Sequence, residues 1–191
     1  MLDLALKAVT NQLNRYMHRH FDLDEDAVML TSPFDSEGNA SSQVNNKLVV
    51  FLANINKDSL SNNRPNSAGA ITSSFSSPTP LSLNLYIIIA ASFDAARYQE
   101  SLTYLSYAVS CFQQQPVIDQ HNSPDLSNSI DKLIMDIENI GINDLSNLWG
   151  VLGGQYIPSV MYKVRMLVFS ADTINSRVIA ASSSKTSAAG I

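Results

Sequence analysis

The stretch Leu81-Ser82-Leu83-Asn84-Leu85-Tyr86-Ile87-Ile88-Ile89-Ala90-Ala91 sets the tightest condition on what this chain can fold into. Leu81, Leu83, Leu85, Ile87 and Ile89 alternate with Ser82, Asn84, Tyr86, Ile88 and Ala90. That is the two-residue period of a strand. The second set begins polar and ends apolar, so the strand is half-polar at its start and buried on both faces at its end. Leu85 to Ala91 is also the longest fully apolar stretch. A membrane-spanning helix needs about 20 such residues, so no transmembrane segment is expected.

Two helical patterns flank this region. Leu2, Leu6, Val9, Leu13 and Tyr16 recur at helical spacing, predicting an amphipathic helix over 2–19. Asp3 lies near its positive end, and Arg15, His18, Arg19 and His20 crowd its negative end. Tyr98, Leu102, Leu105, Val109 and Phe112 predict a second helix over about 95–114, with Asp94 as N-cap and Pro116 as its stop. The acidic run Asp22-Leu23-Asp24-Glu25-Asp26 turns the chain between the first helix and a short strand at 27–31.

The other apolar runs read as strands at 47–55, 132–138 and 159–170. A short helix capped by Asn143 or Asp144 carries Leu145, Leu148, Trp149 and Leu152 and ends at Gly153-Gly154. The expected order is α-β-β-β-α-β-α-β. Consecutive strands favour α+β over a doubly wound fold: a mostly antiparallel sheet of about five strands, packed against two long amphipathic helices plus one short one. One domain spans 1–170 and contains a Ser-, Asn- and Pro-rich loop at 57–79; residues 171–191 read as a flexible tail.

Charged residues make up only 15% of the 191, and the polar surface falls to 27 Ser and 17 Asn. Neutral polar surfaces repel neighbours weakly, which suits a subunit that lives among other subunits. The net charge of −5 disfavours a nucleic-acid binder that works by neutralising phosphate. One cysteine excludes an internal disulfide and a cysteine-rich zinc site. The N-terminus lacks the basic start of a secretory signal.

No catalytic, cofactor or metal constellation emerges. His18 and His20 are two apart and diverge on a helix, and His121 stands alone. The 22–26 run lacks the Gly and terminal Glu of a calcium loop. Cys111 lies mid-helix without a cationic partner, the place of an inert core thiol. The aromatic residues are either edge-of-core or interface: Tyr104 and Tyr107 flank the predicted stripe, and with Tyr156 they are the aromatic interface candidates. Arg15 and Arg19 on the first helix, and Lys163 and Arg165 on the last strand, are the cationic ones; they either make contacts or merely solubilise.

Three ordered blocks carry a family resemblance. They are Leu2-Asp3-Leu4-Ala5-Leu6-Lys7 with Leu13-Asn14-Arg15-Tyr16 and Phe21–Asp26; Leu83-Asn84-Leu85-Tyr86 with Tyr98-Gln99-Glu100-Ser101-Leu102 and Leu105-Ser106-Tyr107; and Leu145-Ser146-Asn147-Leu148-Trp149-Gly150 with Tyr156–Met166. Over residues 2–169 the chain resembles the cap, or tail-terminator, proteins of extracellular contractile injection systems of the antifeeding-prophage and virulence-cassette type. The resemblance implies a non-enzymatic structural protein with no cofactor. It implies a closed, hexameric ring on the distal end of the inner tube and sheath that stops polymerisation and stabilises the extended sheath. Such a protein is made in the bacterial cytoplasm and then becomes part of a phage-tail-like particle. Exposed strand edges would offer it a way to join the sheath by β-augmentation. A phage tail terminator or head–tail connector has like geometry, and a small enzyme with an unrecognised site is the alternative of another class.

Overall fold

The computed structural model describes residues 1–34, 44–58, 82–153 and 155–168. Its centre is the strand the sequence demanded. We number the elements α1 (Leu2–His20), β1 (Val28–Leu30), β2 (Lys47–Lys57), β3 (Ser82–Ser92), α2 (Tyr98–Gln114, after a 3-10 turn at Ala95–Arg97), β4 (Val117–Asp119), β5 (Ile130–Ile137), α3 (Ile142–Leu152) and β6 (Ser159–Val168). The six strands form one sheet in the order β1-β2-β3-β6-β5-β4. Every neighbouring pair is antiparallel except β1 and β2, which run parallel.

The sheet therefore has six strands and is mixed, where about five mostly antiparallel strands were expected. The added strand is β4. It has three residues directly after Pro116, too short to show a period in sequence. Two irregularities interrupt the ladder, between Leu52 and Asn54 on β2 and between Ile130 and Lys132 on β5.

Alternation sends the two faces of β3 into two cores. Leu85, Ile87, Ile89 and Ala91 join α1, α2 and Tyr162, Val164 and Met166 of β6. Ile88 and Ala90 join Val49, Phe51, Phe34, Val44 and Trp149 of α3 on the opposite face. Lys57 belongs to β2 rather than to the 57–79 loop; apart from it and Asp58, that loop lies outside the described residues, as does the 171–191 tail.

Neither long helix buries a clean apolar stripe. On α1, Leu6, Val9, Leu13 and Met17 go inward, but so do Thr10, Gln12 and Asn14. On α2 the predicted stripe is displaced. Ser101, Tyr104, Ala108, Cys111 and Phe112 are buried, while Tyr98 and Leu102 are 56% and 41% exposed. The small residues on that line let the helix approach the sheet, and Phe112 meets Tyr162 edge-on at 5.4 Å. Asp94 precedes the 3-10 turn without capping it by its side chain. Its carboxylate accepts from Asn46 Nδ2 at 3.3 Å instead, and its N–H donates to Asn46 Oδ1 at 3.2 Å. Gly141, not Asn143 or Asp144, is the N-cap of α3; at the other end Gly153 adopts φ 139, which ends the helix in a conformation open to glycine.

Trp149 is 2% exposed and meets Phe34, Phe51 and Tyr156 edge-on at 6.0–6.4 Å. It is the one large side chain of α3 that is fully in the second core. Trp149→Ala is expected to cost about 3–5 kcal/mol, read as a lowered denaturation midpoint by circular dichroism. A variant as stable as wild type would remove Trp149 from the core.

Candidate assembly surfaces

A sheet offers a partner its edges and its faces. The outer edge of β1 carries the backbone groups of Val28 and Leu30, because Ala27 O and Thr31 N turn toward β2. Asn14 of α1 occupies those of Val28. Its Nδ2 donates to Val28 O at 2.9 Å, and Val28 N donates to its Oδ1 at 2.9 Å. The other edge, β4, is closed in the same way. Asn122 Nδ2 donates to Val117 O at 2.7 Å, and Asp119 N donates to Asn122 Oδ1 at 3.1 Å. Each side-chain amide stands in for the peptide of a missing strand, a protection against edge-to-edge pairing. The expectation of strand addition at exposed edges therefore meets amide-capped peptides on β1 and β4, while the β1 ladder covers only Leu48–Val50 of β2. Sequence reading missed both asparagines. The one available signal for Asn14 was a polar residue inside the apolar face of α1.

The helix face of the sheet is covered by α1 and α2. Among the described residues the opposite face is covered only in part: the α3 layer reaches Ala53 and Met161. Beyond it, register sets Asn54, Tyr86, Lys163 and Asp136 in one cross-strand row and Asn56, Asn84, Arg165 and Ile134 in the next. Leu167 and Lys132 follow. A groove of about 440 Å³ runs between this face and α3, lined by Ala53, Tyr86, Leu148, Val151 and Met161 among others. Asn84 is buried, and its Oδ1 has no hydrogen-bond partner among the described residues.

The residues singled out in sequence are spread over three places. Lys163 and Arg165 share the open face, where Arg165 Nη2 donates to Asp136 Oδ2 at 2.9 Å. Arg15 is not a free surface cation. It donates to Gln12 Oε1 at 2.8 Å and Ser123 Oγ at 3.1 Å and stands 3.5 Å from Asp125, which ties α1 to the loop after β4. Arg19 is exposed at the end of α1. Tyr104 does not flank the buried line of α2 but lies on it, 8% exposed, with Phe21 and Phe93 at 5.0 and 5.1 Å. Tyr107 is half-buried against Phe21 at 4.7 Å. Tyr156 is 61% exposed and leans edge-on against Trp149.

Comparison with known proteins now bears on these surfaces. Residues 6–180 match the family model described as the Pvc16 N-terminal domain. The chain belongs to that family. No curated protein matches the sequence. Among solved structures the Pvc16 N-terminal fold recurs in the sheath/tube terminator, in its extended state, of the extracellular contractile injection system PVC. That match has a TM-score of 0.55 at 16% identity over 97% of this chain and 65% of that one. The anti-feeding prophage cap, a tube-terminating cap, matches with a TM-score of 0.54 at 15% identity over 93% of this chain and 60% of that one. The chain thus spans under two thirds of either terminator, and at these identities the likeness is one of fold.

Among the described residues no three His, Cys, Asp or Glu side chains gather to hold a metal ion. No helix among them is long and apolar enough to cross a membrane. Burial pushes the Cys111 thiol up to about 12, which leaves it protonated at neutral pH and a poor nucleophile. Burial likewise raises the phenols of Tyr162 and Tyr104.

Removal of one amide cap leaves a peptide unit unpaired. Asn14→Ala should destabilise the domain by about 1–3 kcal/mol and raise light scattering on concentration. Asn122→Ala should raise scattering with a smaller loss in thermal midpoint. Unchanged scattering in both variants would deny the edges their protective role.

The raised Cys111 pKa has a sign that can be checked. The folded state holds the proton more tightly than the unfolded chain, whose thiol titrates near 9.0. The associated stability is complete below that pH and is lost as pH climbs from there toward 12. Thermal melts should fall above pH 9, and Cys111→Ala should flatten the first part of that fall. Iodoacetamide should leave the native thiol unmodified at pH 8 and label it after unfolding.

Proposed function

We propose that this chain is the cap of an extracellular contractile injection particle: a non-enzymatic terminator that sits on the distal end of tube and sheath. The supporting observation is the family match over residues 6–180 together with the same fold in two solved terminators of such particles. Its partners are further copies of itself in a closed ring, probed below, and the tube and sheath subunits. It is made in the bacterial cytoplasm and leaves it as part of the particle.

The physics suits the task. A terminator must seat on the last layer of a polymer and present nothing on which another layer can grow. Blocked edge strands satisfy the second demand. A partly covered sheet face, a groove beside it and Tyr156 offer surface for the first. Low charge density lowers the desolvation cost of packing between protein layers. The phage-terminator alternative shares this geometry but works on a DNA conduit, and a chain of net charge −5 repeated around such a conduit would repel its cargo.

Deletion should leave the baseplate and the nucleation of the tube intact, because both start at the opposite end. It should remove the stop at the distal end. Electron microscopy of particles from the deletion strain should show tubes of variable length and sheaths lost or already contracted. Uniform particles of normal length with intact extended sheaths would overturn the assignment.

A further inference from the structure

A closed ring of one kind of subunit needs two different, complementary patches on opposite flanks of each copy. The strand order β1-β2-β3-β6-β5-β4 supplies two patches placed that way. On the β1 flank, the corner between α1 and β1 carries Asp22, Asp24, Glu25 and Asp26, all exposed. Four acids in five residues is the densest charge of either sign in the chain. On the β6–β5 side, the open sheet face carries Lys163, Arg165 and Lys132.

Both patches hold charge that the fold itself does not use. Glu25 and Asp26 touch Lys47 and His18, and Arg165 touches Asp136. Asp22 and Asp24 on one patch, and Lys132 and Lys163 on the other, have no ion pair or hydrogen bond among the described residues. Amides cap Val28 on β1 and Val117 and Asp119 on β4, which disfavours extension of the ladder there and turns a neighbour toward the open face.

We propose that the open sheet face of one copy, through Lys132, Lys163 and Arg165, receives the acidic corner Asp22–Asp26 of a second copy. This head-to-tail contact rests on the cap reading above and gives its ring a specific interface. Exposed ion pairs are individually weak, so the contact works by the number of charges and is sensitive to salt.

Sedimentation velocity of the full chain tests it. Wild type should associate at low salt and dissociate in about 0.5 M sodium chloride, where screening shortens the reach of charge to a few ångströms. Asp22→Lys/Asp24→Lys alone should remain monomeric, as should Lys132→Glu/Lys163→Glu alone, with thermal melts like wild type. An equimolar mixture should associate again, because each variant's corner meets opposite charge on the other variant's face, whereas contacts between identical copies pair like charges. If a charge variant fails to fold, copies bearing Asp24→Cys mixed with copies bearing Lys163→Cys should form intermolecular disulfides on oxidation, and neither should do so alone.

A mixture that stays monomeric, variants that associate like wild type, or a wild type that is monomeric at low salt would each overturn the contact. The last result, with salt-sensitive binding of the chain to tube ends, would assign the cationic face to a tube or sheath subunit instead. Uniform particles in cells whose only copy is Asp22→Lys/Asp24→Lys would overturn the contact and leave the cap reading standing. Loss of length control in the deletion strain tests that reading separately.

Discussion

The pairing of β3 with β2 on one side and β6 on the other, with apolar side chains above and below, is the constraint from which the other elements take their places. Ile87 and Ile89 require cover from α1 and α2, and Ile88 and Ala90 require cover from α3. A strand apolar on both faces cannot lie at an edge, so β1 and β4 are pushed to the flanks, where they are short. Their shortness creates the next problem. An edge strand of three residues cannot hide its outward peptide groups by twist or length, and a side chain from elsewhere must take them. Asn14 and Asn122 do so.

What the sequence made legible follows from how local each signal is. The period of β3, the spacing along α1 and the alternation of β6 are carried by neighbouring residues, and all three elements lie where that pattern puts them. The buried side of α2 was not legible. Tyr98, Leu102, Leu105 and Val109 make the better apolar stripe, but the sheet selects the line of Ser101, Ala108 and Cys111, because small residues allow closer approach and Tyr104 and Phe112 fill the ends. Choice between two stripes about a quarter-turn apart belongs to tertiary packing, which no window of sequence contains. The Asn14–Val28 pair spans 14 residues and could not be read at all. Asn122 acts on Val117 and Asp119, within five residues, and was readable in principle as a turn that folds back on its own strand.

The cationic candidates divide by the same logic. Lys163 and Arg165 share a face because they are two apart on a strand, a fact of period alone. Arg15 is a cationic candidate in the sequence because cations are scarce, and its place on α1 alone does not show what it meets. Its guanidinium reaches a loop more than a hundred residues away in sequence, where it holds Ser123 and stands beside Asp125. Polar residues on this chain thus serve two ends that composition cannot tell apart. Some, such as Gln12, Asn14 and Arg15, are internal fasteners; others, such as Asn54, Asn56 and Lys163, face outward.

Rich neutral polarity and scarce charge acquire a single physical meaning from this division. A subunit packed among other proteins cannot rely on charge to prevent mispairing, because charge would also repel its proper neighbours. Amide groups avoid that conflict. An asparagine that satisfies both groups of an edge peptide removes the directional bonds another strand would need, yet adds no net field. Charge is then free to be concentrated where it discriminates: an acidic corner before β1 and a cationic row on β6 and β5. On the contact proposed above, a copy turned the wrong way would meet like charge, and the correctly turned copy opposite charge. Orientation would then be specified by charge and by capped peptides rather than by a large apolar contact.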